Sequence, residues 1–167
     1  LEVIEAMHLF DVFPKDIEKI IVVNGPGSFT GIRIGITIAK VYAWSLNIPI
    51  TTISGLEAMM LSAPEGKIRV PMLDARRRYV FAAIYNEENE PILKPKHIQI
   101  DELNKELEKL SDYIIITNDE IDDYEETQPY NPDLLKIINY YKDKEAINPH
   151  AINPDYLKLT EAEESKL

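Results

Sequence analysis

Ile20-Ile21-Val22-Val23-Asn24-Gly25-Pro26-Gly27-Ser28-Phe29-Thr30-Gly31-Ile32-Arg33-Ile34-Gly35 reads as a strand, a glycine turn and the opening of a helix, in that order. Four consecutive β-branched residues predict a strand, and an uninterrupted apolar run predicts one buried on both faces, as in a parallel sheet. Asn24-Gly25-Pro26-Gly27 punctuates it. Ser28 is placed to cap the helix that follows, since its hydroxyl can accept from a free N–H of the first turn. A glycine turn feeding a helix N-terminus is also the raw material of an anion site. Here, however, no Lys stands where a P-loop needs one, the glycine spacing is not the dinucleotide fingerprint, and Pro26 removes an N–H from the turn. Gly25, Gly27, Ser28, Gly31 and Gly35 therefore read as a structural motif, or one that shapes a contact surface, rather than a nucleotide cradle.

The helix continues to about Leu46, ended by Asn47 and Pro49. At about 100° per residue, Ile32, Ile36, Ala39, Ala43 and Leu46 make one apolar stripe, while Ile34, Ile38, Val41 and Tyr42 cover much of the rest. Arg33, Thr37 and Lys40 leave a narrow polar slot bordered by Trp44. A helix apolar nearly all round is buried on more than one side. One side is expected to face the sheet, the other a second helix. Gly31, Gly35 and Ala39, four apart, lower the ridge between them. That second helix is either residues 1–10 of the same chain, where Leu1, Val3, Ile4, Ala6, Met7 and Phe10 recur at helical spacing, or a partner's.

Moving outward, residues 49–53 predict a strand and Ser54 with Glu57 a capping box. Ala63-Pro64-Glu65-Gly66 is the best lobe boundary. Strands are expected over residues 68–73 and 79–85, joined by Asp74-Ala75-Arg76-Arg77-Arg78. A helix capped by Asp101, a strand over 113–117, a solvated acidic loop over 119–126 and a helix over 133–142 follow. The tail, with Pro149 and Pro154, is expected to drape over the surface.

The 167 residues, 45% apolar and 28% charged, suit a folded protein of one domain or two small lobes. With no cysteine, disulfides, Cys-ligated metals and thiol nucleophiles are excluded, and a reducing cytoplasm is the natural location. Nine basic and eight acidic side chains in residues 1–85, against nine and twenty-one in 86–167, leave the net charge of −11 almost wholly in the second half. Such a half repels a phosphate backbone. No apolar run reaches the length of a membrane span.

The three histidines His8, His97 and His150 stand too far apart for a zinc helix motif. Ser28 is explained by capping, and Asp74 by a turn. Arg76, Arg77 and Arg78 form the concentrated basic patch. On a hairpin they would alternate faces, leaving them as surface charge or as candidates for RNA or partner contact.

The glycine motif from Gly25 to Gly35, with Ile53-Ser54-Gly55-Leu56-Glu57, Leu73-Asp74-Ala75-Arg76 and the late Asn153-Pro154-Asp155-Tyr156-Leu157-Lys158, resembles the TsaB family, also called YeaZ. The resemblance runs in order along nearly the whole chain, with Lys158 where the family carries Arg. It implies an α/β protein of actin-like, RNase H-related (ASKHA) two-lobe fold. The lobes would be residues 1–65, apparently without their N-terminal strands and so with an unpaired sheet edge, and 66–145, with a tail over 146–167. The implied role is non-catalytic: a scaffold for N6-threonylcarbamoyladenosine modification of tRNA that binds and activates the catalytic paralogue TsaD. The P-loop ATPase TsaE would be recruited by that pair, and tRNA would be met only within the complex. No cofactor and no metal is implied. Expected at the interface are Leu1, Ile4, Glu5, His8, Ile32, Arg33, Ile36 and Lys40, with a homodimer when the partner is absent. The alternative is a metal-dependent peptidase of the glycoprotease type, the class with which the family was once grouped.

Overall fold

The computed structural model describes Glu5, Met7 and residues 9–158. Ile20–Gly25 (β1) is a strand, and it pairs in parallel with Ile50–Ser54 (β2) in the register Ile20 to Ile50 through Val23 to Ile53. The crossover between them is the long helix Phe29–Leu46 (α1). Ser28 caps it by accepting from the Gly31 N–H at 3.4 Å, and Asn47 ends it in the left-handed region at φ +54°. Burial on both faces of β1 does not occur. Ile20, Ile21 and Val22 are half-buried and Val23 is 45% exposed, because among the described residues β1 pairs with β2 alone.

The second sheet has the order β5-β4-β3-β6. Ile68–Asp74 (β3) and Tyr79–Tyr85 (β4) form the expected antiparallel pair, and Tyr113–Ile116 (β6) lies parallel to β3. Pro91–Gln99 (β5), which no strand pattern announces in the sequence, pairs antiparallel with β4 at the sheet's edge. Pro91 and Pro95 break its period, and the edge position with its register shifts is where a strand tolerates proline. Alternation of side chains then separates two cores. Val80, Ala82 and Ile84 face Ile100–Leu107 (α3), whereas Phe81, Ala83 and Tyr85 face Gly55–Ser62 (α2) and Leu134–Tyr141 (α4).

Helix α2 joins the sheets. Its Leu56, Met59 and Met60 are buried in a cluster that runs from Ile53 of β2 to Ala83 of β4 and Ile137 of α4. Leu56 has no exposed surface, so Leu56→Ala is expected to cost about 3 kcal/mol, read as a shifted urea midpoint. The expected capping box at its start is absent: the Ser54 hydroxyl makes no cap bond, and the Glu57 carboxylate instead accepts from the Tyr141 hydroxyl at 2.6 Å. Asp101 is likewise not a cap. Gln99 holds that position, and Asp101 pairs with Arg78 at 2.8 Å. The acidic loop is less solvated than its composition suggests, since Ile121 is buried and Asp123 also pairs with Arg78.

Two further side chains bind distant segments. The Lys19 ammonium donates to the carbonyls of Tyr141 and Lys142, both at 3.0 Å, and of Lys144 at 2.5 Å, so it caps the C-terminal end of α4. Tyr141 and Tyr85 sit together beside Glu57, and burial, reinforced by that carboxylate, pushes both phenols above their ordinary range. Burial likewise raises the Tyr124 phenol, to about 12. A phenol raised in the fold stabilises it fully below the unfolded value near 10 and loses that contribution as pH climbs through the folded value. Stability should therefore fall above about pH 10. Tyrosinate absorbance should show a late-titrating group that Tyr141→Phe removes.

Candidate functional site

The parallel strands β1 and β2 end side by side at the glycine turn, and the last described segment closes over it. Gly25 sits at φ +137°, and a Cβ placed there would overlap the Asp155 carbonyl oxygen. The Asp155 N–H donates to the Asn24 carbonyl at 2.7 Å. A Cβ on Gly55 would meet the Pro26 carbonyl at 3.0 Å. The turn, whose Gly25–Pro26 peptide is cis, is thus packed from two sides by the chain's own backbone.

That closing segment does not drape over the surface. The Ile147 N–H bonds to the Ile50 carbonyl at 2.8 Å, and Ile152, 3% exposed, enters the core between α1 and the strands. Lys40 donates to the carbonyls of His150 at 3.4 Å and Ile152 at 2.9 Å. Arg33 donates from Nε to the Tyr156 hydroxyl at 2.7 Å. The polar slot of α1 is therefore a seat for residues 149–156, with Trp44 in edge contact with His150 at 6.2 Å. Periodicity gave no sign of this seat, since Ile152 stands in a short proline-broken stretch, Ala151-Ile152-Asn153-Pro154, with no regular pattern.

Of the residues expected at an interface, Leu1, Ile4 and His8 lie outside the described residues, and Glu5 is exposed. Ile32 and Ile36 are 9% and 4% exposed and face inward, packed with Ile20, Val22, Ile50 and Ile152; this corrects their expected display. Helical periodicity defined two apolar stripes but not which one the sheet would cover. Arg33 and Lys40 flank the closing segment. The outer stripe is Ile34, Ile38 and Val41, respectively 55%, 48% and 55% exposed. Gly35 lies open on that side, with no atom within 4 Å of the place a Cβ would take, whereas Ala39 is buried against the strands. Ala39 therefore does not continue an exposed ridge of small residues from Gly35.

The three arginines do not alternate along a hairpin. Arg76, Arg77 and Arg78 all have positive φ, at 65°, 53° and 62°, and form a left-handed turn. The Asp74 carboxylate accepts from the Arg76 N–H at 2.8 Å, and the Asp119 carboxylate from the Asp74 N–H at 2.7 Å. Arg78 spans Asp101 and Asp123, whose hydrogen bonds raise its pKa. Arg76 and Arg77 are exposed. His97 of β5 is stacked on Tyr79 at 4.6 Å, while His150 is in edge contact with Trp44 of α1. Among the described residues no three His, Asp or Glu side chains converge as a metal site. No helix among them is long and apolar enough to cross a membrane.

Known proteins match this chain in sequence and in fold. The family model described as TsaD, tRNA N6-adenosine threonylcarbamoyltransferase, matches residues 2–134. The "tRNA threonylcarbamoyladenosine biosynthesis protein TsaB" of Bacillus subtilis (strain 168) is 36% identical over an alignment covering 92% of this chain and 75% of that protein. The protein of the same name from Escherichia coli (strain K12) is 37% identical over 54% of this chain and 46% of its own length. Among solved structures, an uncharacterized Pseudomonas aeruginosa protein with similarity to peptidase YEAZ superposes with a TM-score of 0.69 at 20% identity, covering 93% of this chain and 81% of that one. At that identity the likeness concerns the mixed α/β fold.

Proposed function

Because the chain belongs to the TsaB family, we propose that it serves the biosynthesis of threonylcarbamoyladenosine in tRNA as a non-catalytic scaffold that binds and activates the catalytic paralogue TsaD. The observation that carries this reading is the outer stripe of α1. Ile34, Ile38 and Val41 recur at i, i+4 and i+7, are about half exposed, and flank the open Gly35, where a second helix can approach closely. Exposed Leu9 and Phe10 extend the apolar surface of the chain. Such a surface is complementary to a related helix, so the chain pairs with itself when TsaD is absent. The fold is read as actin-like with two lobes, divided near Ala63-Pro64-Glu65-Gly66. TsaE joins the pair, tRNA is met only within the assembly, and the work is done in the cytoplasm. The net charge of −11 supports reserving RNA contact for the assembly.

Light scattering on a sizing column, with and without the paralogue from the same organism, tests the reading. Wild type should convert from homodimer to one-to-one heterocomplex. Ile38→Glu should weaken both associations by at least about 100-fold, because it buries an unpaired carboxylate at the centre of the contact. Unchanged association would overturn the assignment. Ile36→Glu is not a suitable probe, since that side chain is in the core. Gly35→Ala should raise the stability of the isolated chain by about 1 kcal/mol, as expected for a helix interior, while reducing paralogue affinity. A thermal melt and a titration read the two effects separately.

A further inference from the structure

Beside the closing segment, on the flank of α1 away from Ile34 and Ile38, lies a pocket of about 210 Å³ whose lining includes Gly27, Phe29, Ile32, Phe81 and Leu157. Phe29 and Tyr156 stack at its edge with ring centroids 5.1 Å apart. The Arg33 guanidinium lies over both rings, 4.0 Å from the Phe29 centroid and 5.8 Å from that of Tyr156. Its Nε is fixed on the Tyr156 hydroxyl. An arginine held flat and anchored at Nε keeps its two terminal nitrogens as a fork whose rotamer entropy is already spent. No described carboxylate pairs with it; the ion pairs among the described residues are made by Lys67, Arg78, Lys96, Lys109 and Lys136.

We propose that this flank is a second protein-docking site, which takes a partner's large apolar side chain in the pocket and an adjacent carboxylate on the Arg33 fork. Charge favours that occupant. Residues 24–46 contain Arg33 and Lys40 with no acid, and residues 149–158 contain Lys158 with Asp155, so this flank is cationic on a chain of net charge −11. Asp155 is the one acidic residue of the lining. One carboxylate gains from the fork at short range, whereas a polyphosphate is repelled by the whole molecule in proportion to its charges. A phosphate backbone also has nothing to place between Phe29, Ile32, Phe81 and Leu157, which a leucine or phenylalanine side chain fills.

Nitrogen-15 spectra of the full chain, titrated with acetyl-Phe-Glu amide, acetyl-Phe-Gln amide and inorganic phosphate, test the site without knowledge of the natural partner. The Glu peptide should give saturable shifts at the amides of Gly27, Ile32, Phe81 and Leu157, at least about fivefold tighter than the Gln peptide. Arg33→Gln should abolish the difference and Arg33→Lys restore it only in part, because an ammonium lacks the planar fork. Equal binding of the two peptides, no saturable shift below about 20 mM, or saturation of the same amides by phosphate at lower concentration than by peptide would each overturn the proposal, the last in favour of an RNA backbone. The wild-type comparison stands even if a variant misfolds, and Trp44 emission reports whether the closing segment stays seated. Ile38→Glu should leave peptide binding unchanged, so failure here and failure of the α1 interface are read independently.

Discussion

Gly25→Ala is expected to destabilise the chain by about 4 kcal/mol, the sum of a left-handed backbone strain of roughly 1–3 kcal/mol and a similar overpacking term. At φ +137° a Cβ is strained whatever the space around it. Here the space is also taken, since a Cβ would overlap the Asp155 carbonyl oxygen, which is backbone and cannot rotate aside. Relief requires the closing segment to lift, with loss of the Asp155-to-Asn24 hydrogen bond and loosening of the nearby Arg33–Tyr156 contact. A melt should show a midpoint lower by about 10 °C for a domain of this size. Emission from Trp44, the single tryptophan, should change as His150 leaves its edge. A variant as stable as wild type, with unchanged emission, would mean that the segment does not lie against the turn. Because an equally small substitution at Gly35 is expected to stabilise, the pair separates a required glycine from a merely permitted one.

Arg69→Ala is expected to cost about 3 kcal/mol, from loss of a buried side chain together with the partners of buried carbonyls. Arg69 is 1% exposed, yet its guanidinium meets no carboxylate within ion-pair distance among the described residues. It donates instead to main-chain carbonyls, from Nε to Lys67 at 3.1 Å and from one terminal nitrogen to Asn86 at 2.5 Å and Glu87 at 3.0 Å. The side chain thereby ties the start of β3 to the turn between β4 and β5. Burial lowers its pKa, with Glu65, Glu87 and Glu88 opposing. Its charge is kept at any ordinary pH, so the loss should not depend on pH between about 5 and 9. Arg69→Met keeps the apolar stem and removes the donors. It should recover the packing part of the loss and leave the carbonyl part, which urea midpoints of the two variants resolve. If both variants match wild type, the carbonyls are satisfied by water and the tie is not structural.

These two positions also show what one-dimensional pattern could and could not reach. The glycine motif placed a strand, turn and helix where they occur, and α1 ends at Asn47 as its left-handed preference implies. The strands β3 and β4 were legible from their apolar composition and the turn between them, as was the apolar run of β6. Strand β5 was not, because its prolines and lysines are tolerated by an edge position that only sheet order defines. The left-handed arginine turn was hidden for a similar reason: its conformation is held by Asp74, together with Arg78's bonds to Asp101 and Asp123, and much of that support is remote in sequence.

For the candidate site the division is sharper. Motif order carried the family resemblance, and the two-sided apolarity of α1 carried the expectation of a helix-based surface; both are properties of the chain itself. Which stripe would face outward was decided by the sheet. Ile32 and Ile36 went inward because β1, β2 and Ile152 cover them, leaving Ile34, Ile38 and Val41 outside. Arg33 and Lys40 were legible as a polar slot, but not as the seat of a segment more than a hundred residues away. Local sequence sets backbone preference and periodicity through sterics and spacing, which act over a few residues. Orientation of a doubly apolar helix and the landing place of a distant segment depend on which surfaces meet, and that is settled only when the chain has closed on itself.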